Sequence, residues 1–517
     1  MQITFYGAAE TVTGSCHVVE VANKKIMIDC GLFQGQRLLR ERNYQPFAMM
    51  PQAIDYLLIT HAHIDHSGLI PKLYKHGFQG RALSTESTLD LLHVMLPDSG
   101  HIQETETERL NRKNLRSGKK LIEPIYTVDD ALDCLQRIES VEYDQLISLD
   151  ENITVRFVNA GHIMGSSIIE LWVREGSEQT KVVFSGDLGA SGKSFVREPE
   201  FIEAADYLVM ECTYGSRTRL DKGNRLEQLR EVIDDTYRKG GNLIIPAFAV
   251  ERTQDLLYDI NALLVKGQLP PMQVYVDSPM AVAATEVFKR NQNEFDQETM
   301  EYINSGDNPL TMPILHLTSS VEESKALNKS KQGAIILSAS GMCDAGRIKH
   351  HLKHNLWRPE CTILFIGYQA SGTKGQRLLS GVSHIRIHGE EIAVRADIKS
   401  IDSYSSHADQ QELLNWLKSF QHKPEQVFLV HGDPEALEAM QELIKEKIDL
   451  KTYIPAWMET VELTNDVEFN YADLTNAYQS IAGKMEAFMQ AGHNQKDLAL
   501  VMNQFKQLET IFSVKSQ

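Results

Sequence analysis

The sequence predicts an α/β protein in which a strand-rich parent domain carries an inserted parallel-sheet block. Two observations carry that expectation. Short alternating or β-branched runs crowd the first 211 residues and return near the end, whereas strands and helical stretches alternate regularly between them. Polar residues beside glycine also recur where apolar strands end, the places from which a sheet edge can present ligands to one cleft.

Residues 3–8, 16–22 and 25–30 read as strands of one sheet, separated by Gly, Ser and Asn. Residues 55–60 form a further strand, followed by a loop and a helix from Ser67 onward, and 154–159, 181–185 and 206–211 continue the series. From residue 216 the character changes. Strands at 242–247, 273–277, 334–339 and 362–366 alternate with helical stretches near 224–238, 251–265, 281–292 and 345–354, the pattern of βαβ units in a parallel sheet. Beyond 384 short strands resume, then a strand at 426–430 and a helix at 434–447. No Pro-rich linker or repeat divides these parts, so the middle block reads as inserted. The expected division is 1–211 and 384–465 for the parent domain, 212–383 for the insert and 466–517 for a helical tail.

Composition narrows the function. A chain of 517 residues can bury about two or three separate cores, and 42% hydrophobic with 24% charged residues suits a globular protein. No apolar run approaches the ~20 residues of a membrane helix, and the opening Met1-Gln2-Ile3-Thr4-Phe5 has no basic stretch of the kind that begins a signal peptide. The six cysteines (16, 30, 134, 212, 343 and 361) form no CxxC, which suits free thiols in a reducing cytoplasm. A net charge of -18 argues against a protein coated in basic surface for DNA. It does not exclude a nuclease whose metal ions supply positive charge locally.

The motif that decides the chemistry is His61-Ala62-His63-Ile64-Asp65-His66, directly after the apolar strand DYLLIT. In an extended loop His61 and His63 point the same way, and Asp65 and His66 can face a point a few ångströms off. Imidazole nitrogens and carboxylate oxygens at ~2.0–2.2 Å are what Zn²⁺ prefers, so these four residues can serve two adjacent ions. His162 in Gly-His-Ile-Met-Gly-Ser, Asp187 in Phe-Ser-Gly-Asp-Leu-Gly and His431 in Leu-Val-His-Gly-Asp each follow a strand. Any one of them alone is more simply a turn residue; their succession after HxHxDH reads as the rest of a metal site.

In this order the motifs resemble those of the metallo-β-lactamase superfamily, and in particular its β-CASP branch of nucleic-acid-processing nucleases. That branch adds an acidic motif, here Met210-Glu211-Cys212-Thr213-Tyr214-Gly215, and a histidine motif, here Ser405-Ser406-His407-Ala408-Asp409-Gln410, with a domain inserted between them. The likeness spans roughly residues 1–460 and is nearest to the nuclease subunit of the pre-mRNA cleavage and polyadenylation machinery and its bacterial and archaeal ribonuclease relatives. Cys212 stands where the family usually has Ser, Ser406 where it often has Ala, and the N-terminal RNA-binding domains of some archaeal relatives are missing.

The resemblance implies an αββα sandwich with an inserted β-CASP domain, two Zn²⁺ ions and single-stranded RNA as substrate. One zinc would take His61, His63, His162 and Asp187; the other would take Asp65, His66, Asp187 and His431, with Asp187 bridging. The pair would acidify a shared water for attack on phosphorus. His407 would protonate the leaving oxygen, and Glu211 would orient His407. Glu211 also admits a plainer reading, as a strand-end carboxylate capping a loop.

Softer candidates lie in the insert. The Gly-rich stretch 367–377 can cradle phosphates on its backbone with Lys374 and Arg377, or it is a plain tight loop. It lacks the P-loop spacing. Arg252, Ser371 and Lys349 are further candidate contacts, Lys349 reading better as solvated surface. In the tail, Leu474 to Phe488 and Val501 to Phe512 carry apolar residues at helical spacing, which fits packing on the parent domain or a homodimer face. Three function classes follow: a zinc ribonuclease (endonucleolytic, 5′→3′ exonucleolytic or both), a small-molecule hydrolase of the same fold, and an inactive RNA-binding subunit. The intact ligand set speaks against the third, and the second has no evident use for the insert or for His407 and Glu211.

Overall fold

The computed structural model describes residues 1–218, 225–329, 332–367, 369 and 372–463. Ser371 and the tail, with its expected helices and homodimer face, lie outside the described residues.

The parent domain is two seven-stranded sheets packed face to face. The first runs in the order Thr460–Glu462, Gln2–Phe5, His17–Val21, Lys24–Ile28, Tyr56–Leu58, Arg81–Thr85, Ile138–Val141. The second runs Thr452–Tyr453, Gln426–Val430, Tyr207–Glu211, Glu178–Phe184, Ser167–Glu175, Ile153–Asn159, Ile147–Asp150. Strand periodicity assigns each side chain to a layer. Val182, Phe184, Val209 and Phe428 join Phe5, Ile26 and Leu58 in the core between the sheets. Val183, Leu208, Met210 and Leu429 point the other way, under helices Gln410–Lys418 and Pro434–Lys447 through Leu413, Leu417, Leu437 and Met440. The outer face of the first sheet is covered in the same manner, Leu57 and Ala82 lying under Leu73, Leu91 and Leu135. Both faces of the strands are thus buried, which is why they read as near-continuous apolar runs. The layers are α-β-β-α, as the resemblance implied.

The insert is a six-stranded sheet in the order Leu315–Leu317, Gln273–Val276, Ala334–Ser338, Leu243–Pro246, Thr362–Ile366, Asp397–Ile401, parallel at every pairing. The last strand is a departure from the expected division at residue 384. Asp397–Ile401 pairs with Thr362–Ile366, and the hairpin His384–Ile387/Glu390–Ala393 buries Ile385 and Ile387 against the insert's own Ile363 and Phe365. Residues 384–401 therefore pack with the insert. Their alternating pattern is that of any half-buried strand and does not say which sheet receives it. At the other end Cys212 stays in the parent core, and the described insert begins with helix Arg225–Lys239.

Strand direction positions the site. Glu178–Phe184, Tyr207–Glu211 and Gln426–Val430 are mutually parallel, and Ile153–Asn159, two antiparallel steps from Glu178–Phe184, shares their direction. Lys24–Ile28 and Tyr56–Leu58 are parallel in the other sheet. The loops bearing His162, Asp187 and His431, with Glu211 itself, therefore leave one edge together.

Two of these loops touch directly. A Cβ at Gly189 would lie 1.7 Å from the Gly161 carbonyl oxygen, so only glycine lets the chains carrying Asp187 and His162 approach this closely. Gly189→Ala should accordingly destabilise the protein by about 1–3 kcal/mol or more, seen as a lower thermal midpoint. An unchanged midpoint would show that the two loops do not meet.

Candidate metal centre

Seven side chains converge at this edge. His61 Nε2 lies 3.1 Å from His63 Nδ1, and His162 Nε2 lies 3.2 Å from that same atom. Asp187 Oδ2 is 3.6 Å from both His61 Nε2 and His162 Nε2. Its other oxygen, Oδ1, faces a second group, 3.3 Å from His66 Nε2. In that group His66 Nε2 and His431 Nε2 are 3.2 Å apart, and Asp65 Oδ2 lies 3.6 Å from His431 Nε2. The two groups are those read from the sequence, with Asp187 between them.

These distances suit a metal better than a hydrogen-bond network. Four ligands at ~2.0–2.2 Å around a tetrahedral ion are separated by about 3.3–3.6 Å, close to the spacings here. Asp187 is 2% exposed, and its Oδ1 has no hydrogen-bond partner, although buried carboxylate oxygens are nearly always paired. The donor set of imidazoles and carboxylates is one that divalent transition-metal ions accept.

The second ring nitrogens are occupied, that of His431 also lying 3.5 Å from Asp187 Oδ1. His61 Nδ1 lies 3.0 Å from Thr60 Oγ1, His66 Nδ1 2.6 Å from Asp29 Oδ2, His162 Nδ1 3.3 Å from the Ser406 carbonyl, and His431 Nδ1 3.0 Å from Thr213 Oγ1. Such partners orient metal-binding imidazoles. Asp29 also accepts from the Thr60 backbone N–H and hydroxyl at 2.8 Å each, locking the start of the HxHxDH loop. Asp29, Thr60 and Thr213 escaped the sequence reading. The signal available for Asp29 was its place at the end of a buried strand beside Cys30-Gly31, the same context that marked Asp187.

Burial and neighbouring charge divide the histidines. Burial, reinforced by nearby imidazoles, holds His61 and His162 well below the ordinary histidine range and His63 at about 4, so all three are neutral as ligands must be. Burial acts the same way on His66 and His431, but Asp187 with Asp29 outweighs it at the first and Asp187 with Asp65 at the second, and both are raised. Burial disfavours charge on Asp187 too, yet His431 and His66 hold its carboxyl well below the usual range.

His407 stands at the rim, its side chain 19% exposed and its ring centroid 4.5 Å from that of His162. Its Nδ1 is 3.2 Å from Glu211 Oε1 and 3.8 Å from Asp187 Oδ2. Glu211, fully buried, accepts from the Leu188 backbone N–H at 2.6 Å and from that of Thr213 at 3.2 Å. The loop-capping and His407-facing readings of Glu211 thus both describe its place. Arg252 is buried, donating to Ser406 Oγ and to the Ile366 carbonyl, both at 3.1 Å, where the sequence suggested a substrate contact. Lys374 pairs with Asp344 at 3.0 Å, Arg377 is exposed on helix Lys374–Leu379, and Lys349 is half-buried.

Because Asp29 anchors both the loop and the His66 ring, Asp29→Ala should weaken metal retention about 10–100-fold in competition with a chelator. Retention equal to that of the parent would remove Asp29 from the supporting shell.

Three family models match the chain: the metallo-beta-lactamase superfamily over residues 10–235, the Beta-Casp domain over 253–378 and the Zn-dependent metallo-hydrolase RNA specificity domain over 391–455. Ribonuclease TTHA0252 of Thermus thermophilus is 35% identical over 445 residues, 86% of this chain and 96% of the relative. Transcription termination factor FttA of Methanosarcina mazei is 28% identical, over 90% of this chain and 72% of its own length. RNase J-like protein of Methanocaldococcus jannaschii is 27% identical, over 88% and 97%. A crystal structure of a protein of unknown function from Enterococcus faecalis superposes with a TM-score of 0.50 over 89% of this chain and 99% of its own at 14% identity, a likeness of fold alone. Sheet topology, converging side chains and relatives agree: the chain belongs to the β-CASP branch of the metallo-β-lactamase superfamily, a family of metallo-hydrolases with ribonuclease members.

Proposed function

We propose that this chain is a zinc-dependent ribonuclease that hydrolyses phosphodiester bonds of single-stranded RNA, as an endonuclease, a 5′→3′ exonuclease or both. The observation that carries the reading is the Asp187 carboxylate turned toward two converging ligand groups, with His407 and Glu211 at their edge. His61, His63, His162 and Asp187 would hold one ion, and Asp65, His66, Asp187 and His431 the other. Zn²⁺ bound there would acidify a water and offset charge that develops on the phosphoryl oxygens. The match to an RNA specificity domain and the ribonuclease relatives favour RNA over a small ester as substrate. Six unpaired, buried cysteines fit work in a reducing cytoplasm.

The protein's own groups do the rest. As the bond from phosphorus to O3′ breaks, that oxygen needs a proton, and His407, partly accessible at the rim, donates it. Glu211, held by two backbone N–H groups, fixes the ring that donates. Arg252 acts from inside the fold by tying the insert to Ser406, the residue before His407. Lys374 and Arg377 remain the candidates for phosphate contacts.

His407 and His431 should separate on mutation. His431→Ala should lose zinc and activity together. His407→Ala should retain zinc and bind RNA but cleave ~10²–10⁴-fold more slowly. An RNA with a 3′-bridging sulfur, whose leaving group scarcely needs a proton, should restore much of the rate to His407→Ala and little to His431→Ala. Loss of zinc in His407→Ala, or equal rescue of both, would remove the general-acid role. Salt tests the phosphate contacts: log affinity should fall against log salt by about 0.7 per phosphate neutralised, and Arg377→Ala should reduce that slope by about one contact. An identical slope returns Arg377 to solvated surface. Cleavage of neither end-labelled RNA nor DNA by zinc-loaded protein would overturn the nuclease reading itself.

A further inference from the structure

The Gly161–Ser166 loop, which carries His162, is gripped from the insert. Glu294, in the turn Gln292–Glu294, accepts from the Gly165 backbone N–H at 3.1 Å through one oxygen and from Ser87 Oγ at 2.5 Å through the other. The Gly165 carbonyl is held in turn by the hydroxyls of Thr85 at 2.6 Å and Thr88 at 2.8 Å, and a Cβ at Gly165 would lie 2.4 Å from the Thr88 nitrogen. The loop is therefore clamped between the insert and the start of helix Glu86–Arg116. A second grip reaches the ligand residue itself. Lys193 donates to the His162 carbonyl, and its buried ammonium is 3.2 Å from Glu251 Oε1, a carboxylate of the insert that is 1% exposed. The chain after Asp187 is seized likewise: Phe195 packs edge-on against Tyr258, Phe288 and Phe295, and its N–H donates to Thr299 Oγ1 at 3.1 Å.

None of these groups reaches the converging ligand atoms, yet together they decide where His162 stands. We propose that Glu294, supported by the Glu251–Lys193 pair, is a positioning residue through which the insert holds His162 at the metal centre. The docked insert thereby becomes a condition for a complete ligand set. The inference rests on the reading of His162 as a metal ligand, and not on RNA being the substrate.

The test is equilibrium competition for zinc between the full-length protein and a chelator, read beside the thermal midpoint of the metal-free protein. Glu294→Ala should loosen zinc about 10–100-fold, the range for groups that orient ligands. Glu294→Gln, which keeps an acceptor for the Gly165 N–H, should recover most of that loss. Val287→Ala, a fully buried apolar truncation in the neighbouring helix Pro279–Arg290, should lower the midpoint and leave zinc affinity as in the parent. Parental affinity in Glu294→Ala would overturn the proposal, as would an equal loss in Val287→Ala, which would reduce Glu294 to general stability. Should Glu294→Ala not fold, Ser87→Ala removes one arm of the same clamp, and parental affinity there overturns the proposal equally. Parent protein that binds zinc but cleaves no RNA would fail the ribonuclease reading alone.

Discussion

The constraint on which the structure depends is the burial of one carboxylate among five imidazoles. Asp187 is 2% exposed, faces His61 and His162 with one oxygen and His66 with the other, and has no hydrogen bond to its Oδ1. Removing a carboxylate from water costs several kcal/mol unless positive charge meets it. The site meets it in a graded way, with His66 and His431 pushed toward the charged form and His61, His63 and His162 toward the neutral one. One group of side chains is thereby ready for a cation, while the imidazoles of the other hold, against Asp29, Asp65 and Asp187, protons that a cation would displace. This arrangement needs four chain segments, those of His61–His66, His162, Asp187 and His431, to meet at one point. Strands of common direction, in two sheets packed face to face, provide it.

The same burial explains why the supporting residues are polar and hidden. An imidazole with one nitrogen committed inward leaves the other to be satisfied, and each of His61, His66 and His162 finds an oxygen there, while His431 Nδ1 lies between Thr213 Oγ1 at 3.0 Å and Asp187 Oδ1 at 3.5 Å. Those oxygens come from different elements: a strand end at Asp29, a loop at Thr213, the backbone of Ser406. The ligand set is consequently braced from several sides, and substitutions one layer out act on it without touching it.

How much of this could be read from the residues varies with distance along the chain. HxHxDH is local: four side chains in six residues, with a strand before and a helix after, so its convergence follows from backbone geometry. His162, Asp187 and His431 were legible because strand, polar residue and glycine recur in each. Glu211 and His407 were legible only through the family resemblance, since nothing nearby distinguishes them from capping residues. Asp29 and Thr213 depend on sheet register, which brings together residues far apart in sequence. Glu294 sits in Asn-Gln-Asn-Glu-Phe-Asp, a polar run that reads as an exposed turn. The boundary misplaced at 384 has the same origin, because His384–Ile387 alternates as any strand does and its partner is chosen by tertiary packing. Arg252 shows the converse: its sequence position offers it as a substrate contact, and its burial against Ser406 becomes visible only in the fold.

The placement of the insert gives these details a common logic. The chain leaves the parent sheet just after Glu211 and returns to the parent domain near His407, and the side chains of Glu211 and His407 lie 3.2 Å apart. The insert is therefore attached at the rim of the His/Asp cluster by two stems that end in the residues proposed to handle the leaving-group proton. Its remaining grips fall on the His162 loop through Glu294 and Glu251, on the segment after Asp187 through the aromatic residues around Phe195, and on Ser406 through Arg252. A displacement of the insert would be felt at His162, at the loop following Asp187 and at His407 together. The insert is thus tied to the His162 loop, to the segment after Asp187 and to Ser406, so its docking and the geometry of the converging side chains are one structural property.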